Sequence, residues 1–357
     1  MPKFHKLAVK EIRRETAECI TLAFEVPEGL EEEYRFIQGQ HLTIKAEVGG
    51  NEVRRSYSIC AGPGEGSLRV AVKKVSGGSF STFANEQLQV GDTLDVMTPM
   101  GRFYTDLSPA NEKQYVAFAA GSGITPILSI MKAVLGEEAR STFTLFYGNR
   151  RVDSIIFREE IEGLKNTYMG RLGVHHILSG EKLGSPLFTG RIDAEKCRVI
   201  CDKLIDPLEV DEFFLCGPQE MAESIRQVLL EKGVDARRIH FELFTTSRIL
   251  AKQQEEKPPV KGPEVESRIA IKLDDNTFEF PLSSNGDTIL EAALRAGASL
   301  PFACKGGVCC TCRAKLLEGE VSMDVNYALE PDEVAEGYIL ACQSHPKTDK
   351  VSLDFDV

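Results

Sequence analysis

The residues with the clearest chemical spacing are cysteines. Of ten in the 357-residue chain, five crowd into its end, where Cys304, Cys309 and Cys312 are spaced C-x4-C-x2-C within LPFACKGGVCCTC and Cys342 follows after 29 intervening residues. Four thiolates spaced in this way suit a [2Fe–2S] cluster. Three ligands come from one tight loop, in which Gly306 and Gly307 allow close backbone approach and can aim N–H groups at sulfur. Cys342 closes the cage from a distant segment. A structural zinc site would more naturally use two short CxxC knuckles, and the chain does not present them. Cys310 falls outside the ligand register and reads as a small loop filler.

A one-electron centre needs a source of electrons, and three motifs upstream could supply one. In Arg55-Ser56-Tyr57-Ser58, Arg55 can neutralise a flavin pyrophosphate, Tyr57 can pack on the isoalloxazine and Ser58 can reach its N5 edge. Gly77-Gly78-Ser79-Phe80-Ser81 opens a predicted helix, so Gly78 and Ser81 lie where N-terminal amides can meet phosphate. After the apolar run 115–119 comes Gly121-Ser122-Gly123-Ile124-Thr125-Pro126. Gly121, Gly123 and Thr125 shape a second phosphate turn, with a helix expected from about Pro126. Cys216-Gly217-Pro218 ends another apolar run, where a buried thiol could orient a nicotinamide ring or be a plain core residue. Arg150 and Arg151 end the strand after the glycine turn. Arginine there suits the 2′-phosphate of NADPH, and Asp153 keeps NADH open.

These motifs need elements to position them. Residues 19–26, 41–48 and 68–75 alternate apolar and polar residues between Gly- and Pro-rich turns, which predicts an antiparallel β-barrel over 1–104. From residue 114 apolar strands alternate with helices, at 115–119 and 127–135, 142–147 and 154–165, 212–216 and 219–232. That order predicts an α/β parallel-sheet nucleotide domain over 105–246. Residues 247–266 are charged and carry Pro258, Pro259 and Pro263, as a solvated linker would. The tail, 267–357, combines strand-like IAIKL and TFEFPL with helix-like TILEAALRAG and contains the cysteine loop.

Composition narrows the function. Hydrophobic residues make up 42% and the net charge is −12, which fits globular domains and disfavours nucleic acid or anionic membrane as a partner. No signal peptide or run of 18 apolar residues is present, so a cytoplasmic location is expected. The tail has eight Lys/Arg against fifteen Asp/Glu, which favours an acceptor with a basic docking patch, although acidity can also serve solubility alone.

RSYS, GSGITP, CGP and the cysteine loop, in that order, resemble the ferredoxin–NADP reductase superfamily in its form with a C-terminal plant-type ferredoxin domain. YRFIQGQHLTIKA and NYALEPDEVAEGYILACQ are similar to reductase subunits of bacterial di-iron epoxidase complexes. The resemblance implies a multidomain protein ending in an α+β β-grasp fold. It further implies FAD rather than FMN, electron flow from NADPH through FAD and the cluster, and a di-iron oxygenase as acceptor. His41 and Leu42 lie where that family contacts flavin. Glu242 and Phe244 could face the flavin or be ordinary strand packing. Two other readings stay open: a reductase for a Rieske dioxygenase or steroid hydroxylase, and a non-enzymatic metal-binding redox module.

Overall fold

The computed structural model describes residues 3–182, 184–244, 264–274 and 276–356. Most of the expected linker, 247–263, lies outside them. The chain divides into two compact units, one over Lys3–Phe244 and one within the tail.

In the first unit, β1 (Phe4–Thr16), β2 (Cys19–Glu25), β3 (His41–Val48), β4 (Asn51–Ser58), β5 (Leu68–Lys73) and β6 (Thr93–Met97) form an antiparallel sheet ordered β4-β3-β6-β1-β2-β5. The sheet curls into a half-barrel, and an Ile59–Val70 bridge joins its ends. Alternation drives the curl, since Leu7, Val9, Leu22, Ile44, Val70 and Val96 all point into one core. Helix α1 (Ser79–Glu86) lies over it, with Phe80 and Ala84 buried.

The second sheet is parallel throughout: β7 (Gln114–Ala120), β8 (Thr142–Asn149), β9 (Leu172–Leu178), β10 (Glu212–Gly217) and β11 (Ile239–Leu243), ordered β11-β10-β7-β8-β9. Helices α2 (Ile124–Glu137), α3 (Arg158–Thr167), α4 (Ala194–Lys203) and α5 (Gln219–Glu231) make the crossovers. β7 is buried over Tyr115–Ala119, as a central strand covered on both faces must be. Strand order reverses between β7 and β10, and a cleft for ligand opens beyond the carboxyl ends of such a pair.

Two helix starts differ from the sequence expectation. α2 begins at Ile124, because Gly121–Gly123 already form a 3₁₀ turn that leads straight into it. The helix expected from Ser154 begins at Arg158, because buried Phe157 adopts a left-handed φ of 61° and breaks the run.

Half-barrel and parallel sheet share a core in which Cys19, Cys60 and Phe103 pack with Tyr115, Ile127 and Phe214. The Ser129 hydroxyl donates to the Ala61 carbonyl at 2.7 Å across the join. Glu160 takes both Lys132 and Arg69, the latter at 2.7 Å. Burial alone would raise its carboxyl, yet these two cations hold it below the ordinary value. A half-buried network of this kind is worth more than the ~0–1 kcal/mol of an exposed pair.

In the tail, β12 (Glu266–Leu273), β13 (Asn276–Ser283), β14 (Arg313–Glu318), β16 (Tyr338–Leu340) and β18 (Lys350–Asp354) form a mixed sheet ordered β13-β12-β18-β14-β16, while β15 (Val321–Met323) pairs with β17 (Ser344–Pro346). Helix α6 (Ile289–Arg295) buries Ile289, Leu290 and Ala293 against the sheet, and Thr288 caps its start. This is the β-grasp arrangement expected of the tail.

Candidate functional site

The switch point between β7 and β10 gathers the upstream motifs. Gly121 to Gly123 leave β7 where Cys216 and Gly217 end β10. A Cβ on Gly123 would stand 2.1 Å from the Cys216 carbonyl oxygen, so only glycine lets the two turns meet. The start of α2 has no side-chain cap and no acidic residue in its first turn, and neither does α1 after Gly78. Both starts therefore present a positive dipole end to phosphate; at α2 the Ile124 N–H is already taken by the carbonyls of the 3₁₀ turn and Pro126 has none, so the dipole and the turn carry the site there. The Thr125 hydroxyl donates to Ser122 O at 2.9 Å, and Ser81 Oγ accepts from Val75 N at 3.1 Å. These two hydroxyls shape the turns.

Lys73, at the end of β5, places Nζ 3.5 Å from where a Gly121 Cβ would lie, beside the phosphate turn. Sequence reasoning missed it, and its only signal was a lysine ending the apolar strand LRVAVK. Arg55 is exposed on β4 and has no carboxylate partner among the described residues; its guanidinium donates to Arg54 O at 2.7 Å. Arg150 is likewise exposed and without a described carboxylate partner. Arg151 pairs with Asp153 at 2.6 Å, so the caution attached to Asp153 falls on one of the two arginines.

The half-barrel brings Tyr57 and Ser58 to the same region. Tyr57 is half-buried with its ring 5.6 Å from that of Phe80, and burial raises its phenol pKa. Buried Ser58 donates to Glu242 Oε2 at 3.2 Å. Glu242 lies in register with Cys216 across β10 and β11, and burial pushes its carboxyl up to about 7. Cys216 is fully buried, and burial and then Glu242 push its thiol well above the ordinary value, so it stays uncharged. Pro218 starts α5, and Phe244 packs partly buried against the shared core. His41 pairs with Ser58 in register; burial lowers its imidazole to about 4, and its buried Nε2 has no hydrogen-bond partner. An orphaned polar atom beside Ser58 and an exposed Arg55 with no described carboxylate partner fit a bound flavin dinucleotide.

In the tail, the cysteine loop bends through left-handed residues. Gly307 has φ 74°, and Lys305 and Cys310 take φ 53° and 51°. The glycines were expected to allow close approach and aim N–H groups at sulfur; the bend itself is shared by Gly307 with two residues that carry side chains. A Cβ on Gly307 would press on Val325 at 3.1 Å. Gly306 N donates to Cys304 Sγ at 3.3 Å. Cys304 neighbours Cys309 and Cys342, and Cys342 neighbours Cys312. Contact with Cys304 and then burial push Cys309 well above its ordinary value. Among the described residues no three His, Cys, Asp or Glu side chains converge on a single ion. Four thiols strung around a loop, with an N–H already aimed at sulfur, fit a two-iron core with two thiolates for each iron. Cys310 points away, its thiol donating to Ala328 O at 3.0 Å.

Known families follow the same division. Residues 6–104 match the oxidoreductase FAD-binding domain, 118–227 the oxidoreductase NAD-binding domain and 271–347 the 2Fe-2S iron-sulfur cluster binding domain. The chain is 44% identical over 356 residues to one of the subunits of 1,2-phenylacetyl-CoA epoxidase from Escherichia coli (strain K12), covering 100% of this chain and 99% of that protein. The chain belongs to the ferredoxin–NADP reductase superfamily, in its form with a C-terminal [2Fe–2S] domain. This member is 33% identical over 374 residues to the ferredoxin reductase component of the 3-ketosteroid-9-alpha-monooxygenase of Mycobacterium tuberculosis (strain CDC 1551 / Oshkosh), covering 98% and 96%. Its fold matches the solved structure of phthalate dioxygenase reductase with a TM-score of 0.57 at 23% identity, over 99% of this chain and 98% of that one. The superfamily member is therefore an electron-transfer oxidoreductase with FAD-, NAD- and [2Fe–2S]-binding domains, which sets aside a non-enzymatic metal module. Among its described residues no helix is long and apolar enough to cross a membrane.

Proposed function

We propose that the protein passes electrons from NADPH, with NADH as a weaker donor, through FAD and the cluster to a di-iron oxygenase of the phenylacetyl-CoA epoxidase type. The observation that carries this reading is the meeting of Ser58, Cys216 and Glu242 beside the α2 start at the switch point. Support for the acceptor comes from the 44% identity over the whole chain.

The geometry supports a role for each residue. Arg55 and the start of α1 at Gly78 and Ser81 bind the FAD pyrophosphate, while Tyr57 packs on its ring system. Gly121, Gly123, Thr125 and Lys73 hold the nicotinamide pyrophosphate at the start of α2. Arg150 takes the 2′-phosphate, helped by Arg151 to the extent that Asp153 releases it. Cys216, Gly217 and Pro218 orient the nicotinamide ring, with Phe244 closing the site from the end of its unit. Glu242 holds a proton on its carboxyl and exchanges it through Ser58 Oγ, whose hydroxyl turns from donor to acceptor at Oε2 as the proton passes. Bound FAD supplies two-electron uptake and one-electron release. Cys304, Cys309, Cys312 and Cys342 hold the cluster.

The domain limits we propose are 1–104, 105–246 and 267–357, in line with the family matches, with the tether expected over 247–266 ending before Val265 and Glu266, which already pair within the tail. A cytoplasmic location accords with ten cysteines that are all free. The steroid-monooxygenase relative favours a second reading, in which the acceptor is another oxygenase. An anaerobic NADPH titration of the purified protein, with flavin, iron and sulfide assayed, tests the first part. Stoichiometric reduction of both centres is expected, and iron-free, colourless protein would overturn it. Acceptor assays with an epoxidase oxygenase and a steroid oxygenase decide the partner, the faster one being the true acceptor.

A further inference from the structure

The cysteine loop and the distant fourth cysteine must be held together, and one buried side chain does this. Gln343 is 7% exposed. Its Nε2 donates to Lys305 O at 2.9 Å and to Cys342 O at 2.8 Å, and stands 3.5 Å from Cys342 Sγ. Two carbonyls facing the amide fix its orientation, because a flipped amide would set oxygen against oxygen. The contact with Lys305 matters because Lys305 is left-handed, a conformation that costs a residue with a Cβ about 1–2 kcal/mol. That turn directs the next peptide, whose Gly306 N–H reaches Cys304 Sγ at 3.3 Å. Gly307 lets the Gln343 side chain lie flat on the loop, since a Cβ there would meet Gln343 Cγ at 3.3 Å.

We propose that Gln343 is a positioning residue for the cluster: its buried amide pins the left-handed turn at Lys305 that aims Gly306 N–H at Cys304, and sets the N–H that it gives to Cys342 O beside Cys342 Sγ as well. N–H dipoles at thiolate sulfur favour the more negative, reduced state of a cluster and so raise its potential. The proposal rests on the reading of Cys304, Cys309, Cys312 and Cys342 as ligands.

The test uses full-length protein and an anaerobic redox titration followed by electron paramagnetic resonance. Gln343→Met keeps the length of the side chain and removes the donor. It should shift the one-electron equilibrium about three- to tenfold towards the oxidised cluster, tenfold corresponding to about 59 mV. It should also lose cluster several-fold faster, with flavin reduction by NADPH unchanged. Lys305→Gly in the same chain should restore retention, because glycine takes φ > 0 without a clamp, and should recover the potential only in part, since the Gly306 N–H returns and that of Gln343 does not. If Gln343→Met alone assembles no cluster, this double variant carries the titration. Native potential in every variant that holds cluster would overturn the proposal, as would failure of Lys305→Gly to restore retention. Iron-free native protein would instead overturn the ligand assignment.

Discussion

The parallel sheet and the cysteine loop both present backbone N–H groups to an anion, and they do so by opposite means. At the sheet, the helix starts need no unusual backbone beyond the turn, and glycine at position 123 is demanded by crowding against Cys216. In the loop, the N–H groups are turned inward by left-handed residues, two of which carry side chains and must be held there. A phosphate cradle is thus a by-product of regular structure, whereas a cluster cradle is a bent loop that neighbouring side chains keep bent.

The sharpest way to separate the two is Cys304→Ser. Cluster assembly and one-electron acceptor reduction should vanish, while NADPH-driven flavin reduction stays within about twofold by stopped-flow; loss of both in a folded variant would mean the two cradles do not act independently. Next in size is Glu242→Gln, which touches only the sheet side. Native flavin reduction should slow as pH rises through about 7, where the Glu242 carboxyl gives up its proton. Below that pH the variant should be slower by about a hundredfold and show no inflection. A profile that keeps its inflection removes Glu242 from the proton path. Arg150→Ala should then raise the KM for NADPH about tenfold with little change for NADH. Arg151→Ala should do less, because Asp153 already occupies that guanidinium. Equal effects on both nucleotides would leave the arginines without a role in cofactor choice. The smallest effect is expected of Cys310→Gly. Relief of the left-handed backbone and loss of the thiol contact to Ala328 should nearly cancel, within about 1 kcal/mol in thermal unfolding of the tail.

Much of the fold and of the site was legible because the motifs depend on local sequence. Alternating strands, apolar strand–helix pairs and the C-x4-C-x2-C spacing each declare their own element. What stayed hidden depends on contacts between distant segments. Glu242 was legible as a residue that could face the flavin, but its partners were not: only β11 sets it opposite Cys216 and within reach of Ser58, 184 residues earlier. Lys73 gains its meaning only from the turn that Gly121 makes beside it. The left-handed Phe157 interrupts a run whose composition is helical throughout, and Lys305 and Cys310 adopt the same conformation without the glycine that would have announced it.

Every cysteine of the first unit, from Cys19 to Cys216, is at most 5% exposed, whereas Cys304 and Cys310 in the tail are only partly covered. An alkylating reagent applied briefly to intact protein would therefore mark the tail and spare the rest. Cys310 would be marked with or without iron, so it is the labelling of Cys304 that gauges how much of a preparation has shed its iron.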